Sequence, residues 1–300
     1  MREAGSTPLT ELRASLKHPC FSGEANANRG RIHLPVSPTC NIQCRFCRRA
    51  FNKAENRPGV SLKILKPEEA VEVVRKSLEL CPEISVAGIA GPGDTLATDK
   101  AIRTFEIIHR EFPYLINCMS TNGLLLEPYA ADLVRVWVKT LTVTVNAVDP
   151  VVLDRIVSHV LWEGEILKGT EGAAVLIEAQ KRGIKKAAHL GLVIKINIVL
   201  IPGVNDDHVG EIAKTVSALG ASIINIIPLL PQNEFAGWDA PDCEVLNRAR
   251  EEAEKYLPVF KHCQHCRADA IGIPGRGDIS SLVYGEAKKQ AETEETFSHG

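Results

Sequence analysis

Cys40, Cys44 and Cys47 form a C-x3-C-x2-C run directly after the apolar segment Ile32 to Val36. Three thiolates on one short loop can each bind a different iron of a cubane [4Fe-4S] cluster. Such a cluster usually takes four cysteines, so one iron is left without a protein ligand. An open position is what a catalytic metal site keeps and a structural one closes. The rival reading is a zinc knot or a set of buried thiols. Zinc knots pair C-x2-C units and close on four ligands, yet no fourth cysteine or histidine follows Cys47 within the loop. Spacing and position after a strand favour the iron-sulfur cluster.

The rest of the composition suits an enzyme with one main domain. The 300 residues are 45% hydrophobic, enough to bury a large core in a single barrel. A net charge of -2 gives no electrostatic reason to expect a nucleic acid or an anionic membrane as partner. No apolar run reaches transmembrane length, and the first twenty residues carry no signal-peptide core, so a soluble, cytoplasmic protein is expected. Nine cysteines, an odd number clustered at motif spacings, favour metal ligation over a disulfide framework.

Short β-branched runs alternate with longer amphipathic stretches. Strands are expected at Arg31 to Val36, Ile84 to Ala90, Leu115 to Ser120, Leu141 to Asn146, Leu192 to Leu200 and Ser222 to Leu229. Helices are expected at Pro67 to Leu80, Thr98 to Glu111, Pro128 to Val138, Pro150 to Val160, Gly172 to Arg182, Asp206 to Leu219 and Cys243 to Tyr256. Strand-helix alternation implies parallel pairing, and six repeats suggest a partial (β/α)6 barrel, an α/β fold. Four regions are expected: an N-terminal cluster-binding extension over 1–30, the barrel over 31–260, a C-terminal C-x2-C segment over 261–284, and a polar disordered tail over 285–300.

Polar residues fall where such a barrel keeps its active site, at the C-terminal ends of strands. The turn Gly91-Pro92-Gly93-Asp94 follows the second expected strand, and Ser120-Thr121-Asn122-Gly123 follows the third. Asn146 ends the fourth strand, Asn197 lies in the fifth, and Ile226 to Leu230 could offer backbone groups at the sixth. Each is weak alone, because a polar side chain on a strand is more often a satisfied rim group than a ligand.

The cysteine run resembles that of the radical S-adenosylmethionine (SAM) superfamily. The resemblance implies that the open iron chelates the amino and carboxylate groups of SAM. It also implies that Gly91, Pro92, Gly93 and Asp94 stand for a motif, usually Gly-Gly-Glu-Pro and altered here, that holds the SAM amino group. Ser120, Thr121 and Asn122 would suit ribose or the methionyl carboxylate, with Asn146, Asn197 and Ile226 completing the cofactor-binding set.

The remaining cysteines narrow the family. His18-Pro19-Cys20-Phe21 precedes the first strand, Cys118 stands just before the Ser-Thr-Asn-Gly turn, and Lys261-His262-Cys263-Gln264-His265-Cys266 lies near the C-terminus. With Asn41 and Phe46 inside the cysteine run, this pattern closely resembles the NifB family, from about His18 to Pro274. The resemblance implies three cubanes: one SAM-binding cluster on Cys40, Cys44 and Cys47, and two substrate clusters that become fused. Cys263, Cys266 and Cys20 would hold one substrate cluster, and Cys118 and His18 the other. Glu55 would be a further carboxylate ligand or proton acceptor, and Cys118 and Glu55 the groups at the reacting clusters. The implied partners are iron-sulfur cluster donors, cofactor acceptor or scaffold proteins of nitrogenase maturation, and an electron donor such as a ferredoxin. The implied chemistry is methylation and carbide-centred fusion of two four-iron clusters into the eight-iron precursor of the iron-molybdenum cofactor. A radical SAM enzyme acting on a peptide or small molecule, with auxiliary electron-transfer clusters, is the alternative.

Other residues read more plainly. Cys81 and Cys243 suit small buried or half-buried thiols. His33, His109, His159, His189, His208 and His299 have no motif company and read as surface or packing groups. His262 and His265 could serve Cys263 and Cys266 as ligands or supports, and a structural zinc is the rival for that pair.

Overall fold

The computed structural model describes residues 15–285. The expected tail from 285 onward therefore lies outside the described residues save for Gly285, as do the first fourteen residues of the N-terminal extension.

Ser22 caps a short helix, α1 (Gly23–Asn28), its Oγ accepting the Ala25 N–H. The barrel then begins with β1 (Gly30–His33). The cysteine loop contains β2 (Ile42–Cys44), and the segment after it contains β3 (Ala50–Phe51) and β4 (Val60–Ser61). Next come α2 (Glu69–Leu80), β5 (Ile84–Ile89), α3 (Lys100–Glu111), β6 (Ile116–Thr121), α4 (Leu126–Arg135) and β7 (Val138–Thr144). An insertion follows, made of α5 (Pro150–Asp154), β8 (Val157–Trp162) and β9 (Glu165–Leu167). The chain ends with α6 (Gly169–His189), β10 (Val193–Leu200), α7 (Val209–Ala218), β11 (Ile223–Pro228), α8 (Cys243–Glu254), β12 (Ile271–Gly272) and α9 (Ser280–Tyr284).

The main sheet has the order β11-β10-β7-β6-β5-β1-β12. Its first six strands pair in parallel and β12 joins β1 antiparallel. This is the expected partial (β/α)6 barrel. Its two free edges are linked by the C-terminal segment. The Phe260 N–H donates to the Ile224 carbonyl at 2.7 Å on the β11 edge, and Ile271 stands opposite Ile32 on the β1 edge. Residues 261–270 thus cross from one edge to the other, carrying Cys263 and Cys266 over the open side of the half-barrel.

Period-two alternation divides each strand between two environments. Ile32, Ile89, Met119, Leu141, Ile194, Ile196 and Ile224 point at the helices and are buried with Val74, Phe105, Leu133 and Ile212 in one core. Truncating one such side chain, Phe105 for example, would cost about 3–5 kcal/mol. The opposite face is unusual. Barrel interiors are ordinarily filled by layers of branched apolar side chains. Here Arg31, His33, Cys118, Ser120, Thr142, Thr144, Lys195, Asn197 and Asn225 face inward and surround a cavity.

The largest departure from expectation lies in the insertion. The helix expected over Pro150 to Val160 stops at Asp154, and Val157–Trp162 is a strand. It turns back on β9 through Glu163 and Gly164, whose φ values of 51° and 86° are those of a two-residue hairpin turn. The reason is visible locally: Val157, Val160, Leu161 and Trp162 favour a pleated surface, and β2 offers an edge on which they pair. The helix expected over Gly172 to Arg182 is longer, Gly169–His189, because Ile184 and Ala187 continue its buried stripe.

Candidate active site

The cysteine loop is held from three sides. β2 pairs antiparallel with β8, Cys44 opposite Val157, and the Arg45 N–H donates to the Ile156 carbonyl at 2.8 Å. The Cys47 N–H closes a turn on the Cys44 carbonyl at 2.9 Å, and Gln43 Nε2 donates to that same carbonyl. From below, the Gly91-to-Asp94 turn docks against the loop backbone. The Gly93 N–H donates to the Ser37 carbonyl and the Asp94 N–H to the Thr39 carbonyl, both at 2.8 Å. A Cβ at Gly93 would stand 2.0 Å from the Thr39 oxygen, so only glycine permits this approach.

Asp94 organises the next turn. Its buried carboxylate accepts the Asn122 N–H at 2.6 Å, the Thr121 hydroxyl at 2.9 Å and the Leu96 N–H at 3.0 Å. Burial pushes its pKa up, and these hydrogen bonds oppose that rise. Asn122 then spans the two motifs: its Nδ2 donates to Asn41 Oδ1 at 2.6 Å and lies 3.8 Å from Cys40 Sγ. Gln180 from α6 donates to the Asn122 carbonyl at 2.7 Å and to the Thr144 carbonyl at 3.0 Å. The glycine-rich turn, the Ser-Thr-Asn-Gly turn and the cysteine loop therefore form one hydrogen-bonded unit.

The donor set suits a cluster. Burial pushes the Cys40 thiol up to about 12, with the Asp94 charge adding to it. Cys44 and Cys47 are raised by burial too, while Arg49 and Arg57 pull Cys47 back. Without metal these thiols stay protonated, and iron must displace the protons to bind. Among the described residues no three His, Cys, Asp or Glu side chains converge on a single point as one metal ion needs. A cubane does not ask for that convergence, because each thiolate takes a separate iron.

Cys40, Cys44 and Cys47 line one end of a cavity of about 350 Å³. Pro92, Gly93, Asp94, Ser120, Thr121, Asn122, Asn146 and Asn197 line it as well. The cavity continues inward to His18, Cys20, Cys118, Cys263 and Cys266. On β6, Cys118 precedes Ser120 by two residues, which puts it about 7 Å deeper in the barrel. Burial raises the pKa of Cys20 and takes that of Cys118 to about 12. The Cys20 N–H donates to His18 Nδ1 at 2.9 Å, and His18 Nε2 is buried without a protein partner. An orphaned buried ring nitrogen in a cavity of thiols is a site left for a ligand.

Three expected residues are not brought to the cavity wall. Glu55 is tied to Arg57 at 2.6 Å and to Asn52 at 2.7 Å, and the Arg57 contact lowers its pKa. Ile226 is expected to offer backbone groups; its side chain faces the helix layer, since alternation on β11 turns Asn225 and Ile227 inward. Gly91 supports the turn from behind, while Pro92 and Gly93 line the cavity. His265, a possible ligand or support, lines the cavity, and so do Arg31, His33, Lys195, Gln180 and Asn225, which the sequence does not mark as ligands. Arg31, His33 and Lys195 hold inward positions of largely apolar strands, which only the topology reveals as facing the cavity. His33 is no ordinary packing histidine, because burial, with Arg31 adding to it, drives its pKa down to about 4.

This fold, with an open cysteine triad at the C-terminal ends of its strands, defines a radical SAM protein. The model of the Radical SAM superfamily matches residues 34–216, and a [4Fe-4S] cluster and SAM go with that membership. Solved structures agree on the fold alone. Streptococcus suis SuiB gives a TM-score of 0.56 at 12% identity, covering 88% of this chain and 57% of that one. The SuiB structure bound to SAM gives 0.55 at 13% identity, covering 88% and 58%.

Sequence relatives are more specific, and the chain belongs to the NifB family. It is 48% identical over 275 residues to the FeMo cofactor biosynthesis protein NifB of Methanocaldococcus infernus, covering 91% of each chain. The protein of that name from Methanocaldococcus jannaschii is 48% identical over 286 residues, covering 94% of this chain and 95% of the relative. The one from Chlorobaculum tepidum is 41% identical over 270 residues, covering 89% and 64%.

Proposed function

We propose that this chain assembles the carbide-containing eight-iron precursor of the nitrogenase iron-molybdenum cofactor from two four-iron substrate clusters. The observation that carries the reading is the single cavity: Cys20, Cys40, Cys44, Cys47, Cys118, Cys263 and Cys266 all line it, and of the nine cysteines only Cys81 and Cys243 do not. A peptide-modifying enzyme with auxiliary electron-transfer clusters would use the triad and the Cys263–Cys266 pair, but would not need His18, Cys20 and Cys118 facing the same chamber. The relatives' name, FeMo cofactor biosynthesis protein, points the same way.

In this reading Cys40, Cys44 and Cys47 hold the resident [4Fe-4S] cluster, whose electron would cleave SAM to methionine and a 5'-deoxyadenosyl radical. The chain's own residues set where that happens. Asp94 fixes the Thr121-Asn122 turn, which with Asn146 and Asn197 lines the room between the triad and the deeper thiols. Positioning of this kind is most of what a protein contributes when the cofactor carries the reactivity. Deeper in, His18, Cys20, Cys118, Cys263 and Cys266 hold the substrate clusters. A first SAM gives its methyl group to a cluster sulfide, leaving S-adenosylhomocysteine. Hydrogen abstraction from that methyl group, further hydrogen loss and addition of one sulfur then complete the fused product. Mixed and sparse ligation fits cargo that must leave, since imidazole releases iron more readily than thiolate. Cluster donors, a ferredoxin-type electron donor and cofactor acceptor proteins are the partners this chemistry asks for, in the reducing cytoplasm where free thiols persist.

Anaerobic chromatography of SAM products from reconstituted, dithionite-reduced protein tests the reading. It predicts both S-adenosylhomocysteine and 5'-deoxyadenosine. 5'-Deoxyadenosine alone would return the chain to the peptide or small-molecule class of radical SAM enzymes.

A further inference from the structure

Two cations line the deep chamber with no carboxylate among the described residues in ion-pair contact with either. Arg31 is 5% exposed; its Nη1 donates to the Gly272 carbonyl at 2.5 Å, its Nη2 lies 3.1 Å from Cys266 Sγ, and its Nε has no partner. Lys195 is also 5% exposed; its Nζ donates to the Cys20 carbonyl at 3.0 Å and sits over the rings of Phe21 at 5.0 Å and Phe260 at 5.5 Å. Asp278 is the carboxylate whose field reaches Arg31, but it forms no ion pair with the guanidinium and instead accepts the Ile271 and Ser280 N–H groups at 3.1 and 2.8 Å.

A buried charge left without a counter-charge is costly, so chains retain one only where something compensates it. Carbonyl oxygens and aromatic faces orient these cations and do not neutralise them. Both are anchored on the cysteines at issue, Lys195 through the Cys20 backbone and Arg31 through the Cys266 sulfur. A four-iron cluster with thiolate ligands is anionic, and each reduction adds negative charge. We infer that Arg31 and Lys195 are the counter-charges of the cargo, a cationic floor that retains anionic iron-sulfur clusters in a chamber too sparsely supplied with ligands to hold them by coordination alone. The inference rests on the cluster-fusing reading above. It adds to that reading a division of labour: thiols and His18 address individual irons, while the two cations hold the cluster as a charged body.

The test uses the full chain with Cys40, Cys44 and Cys47 all changed to Ala, so that every remaining cluster belongs to the chamber. After anaerobic reconstitution with iron and sulfide, iron loss to a ferrous chelator is timed. Lys195→Met and Arg31→Met should each lose iron roughly tenfold faster than the parent, whereas Lys195→Arg and Arg31→Lys should stay close to it. The reduction potential of the retained clusters should move to more negative values in the Met variants and return in the charge-conserving ones, a signature that a purely structural role would not give. Equal iron loss and equal potential in the Met variants would overturn the inference and leave the cluster-fusing reading standing. A parent that binds no iron would overturn both. If both Met variants fail to fold even when iron-free, the cations serve the fold and the inference falls.

Discussion

The two ends of the cavity are built differently. At the mouth, three cysteines come from one eight-residue loop, held by backbone hydrogen bonds from β8 and the Gly91-to-Asp94 turn and by the Asn122 side chain. In the depth, Cys20, Cys118, Cys263 and Cys266 come from three distant parts of the chain, and His18 Nε2 has no partner at all. A prearranged site is what a resident cofactor needs. A loosely furnished chamber suits material that enters, reacts and departs.

The sharpest way to break this contrast is to remove one ligand from each end. Cys44→Ala should abolish 5'-deoxyadenosine formation while the chamber still takes up iron. Cys118→Ala should spare SAM cleavage and abolish the fused cluster, measured as acid-labile eight-iron product. If Cys118→Ala made normal product, the chamber would not be the cargo site. Gly93→Ala comes next. A Cβ 2.0 Å from the Thr39 oxygen forces the cysteine loop off its support, at a cost of about 3 kcal/mol, and SAM cleavage should fall with the thermal midpoint. Asp94→Asn is milder in stability, about 1–3 kcal/mol, and specific in effect. The amide still accepts from the Asn122 N–H but with less charge, so KM for SAM should rise more than kcat falls.

The smallest effect is on pH. The folded pKa of Cys40, about 12, lies above the 9.0 of a free thiol, so the unfolded chain loses its proton first. The protonated thiol's contribution is therefore whole below pH 9 and lost as pH climbs from 9 toward 12. Iron-free protein should melt at falling temperature across that window, and the Cys40→Ala variant should show a flatter profile. His33 runs the other way. Its folded pKa of about 4 lies below the ordinary 6.5, so its contribution is present above pH 6.5 and lost as pH falls toward 4.

Much of this was legible in the sequence. The cysteine run, the two polar turns and the barrel strands all announce themselves through spacing and period, because they are local patterns. The support of the loop was not. β8 reads as the tail of a helix begun at Pro150, and only the Glu163-Gly164 turn and the run Val157 to Trp162 betray a hairpin; the partner that fixes it, β2, is more than a hundred residues away. Arg31 and Lys195 failed to stand out for a related reason. A lone cation in an apolar strand looks like an edge residue until the topology turns its face inward. Glu55 is a different case: its position after the cysteine loop suggested a ligand, and in this structure its carboxylate pairs with Arg57, two residues on.

The central claim, that radical chemistry generated at the mouth acts on a methyl group carried by cargo in the depth, is tested most directly with SAM deuterated in its methyl group. The account predicts deuterium in the 5'-deoxyadenosine made by the intact protein and none in that made by Cys118→Ala. Unlabelled 5'-deoxyadenosine from the intact protein, with substrate clusters loaded, would contradict it.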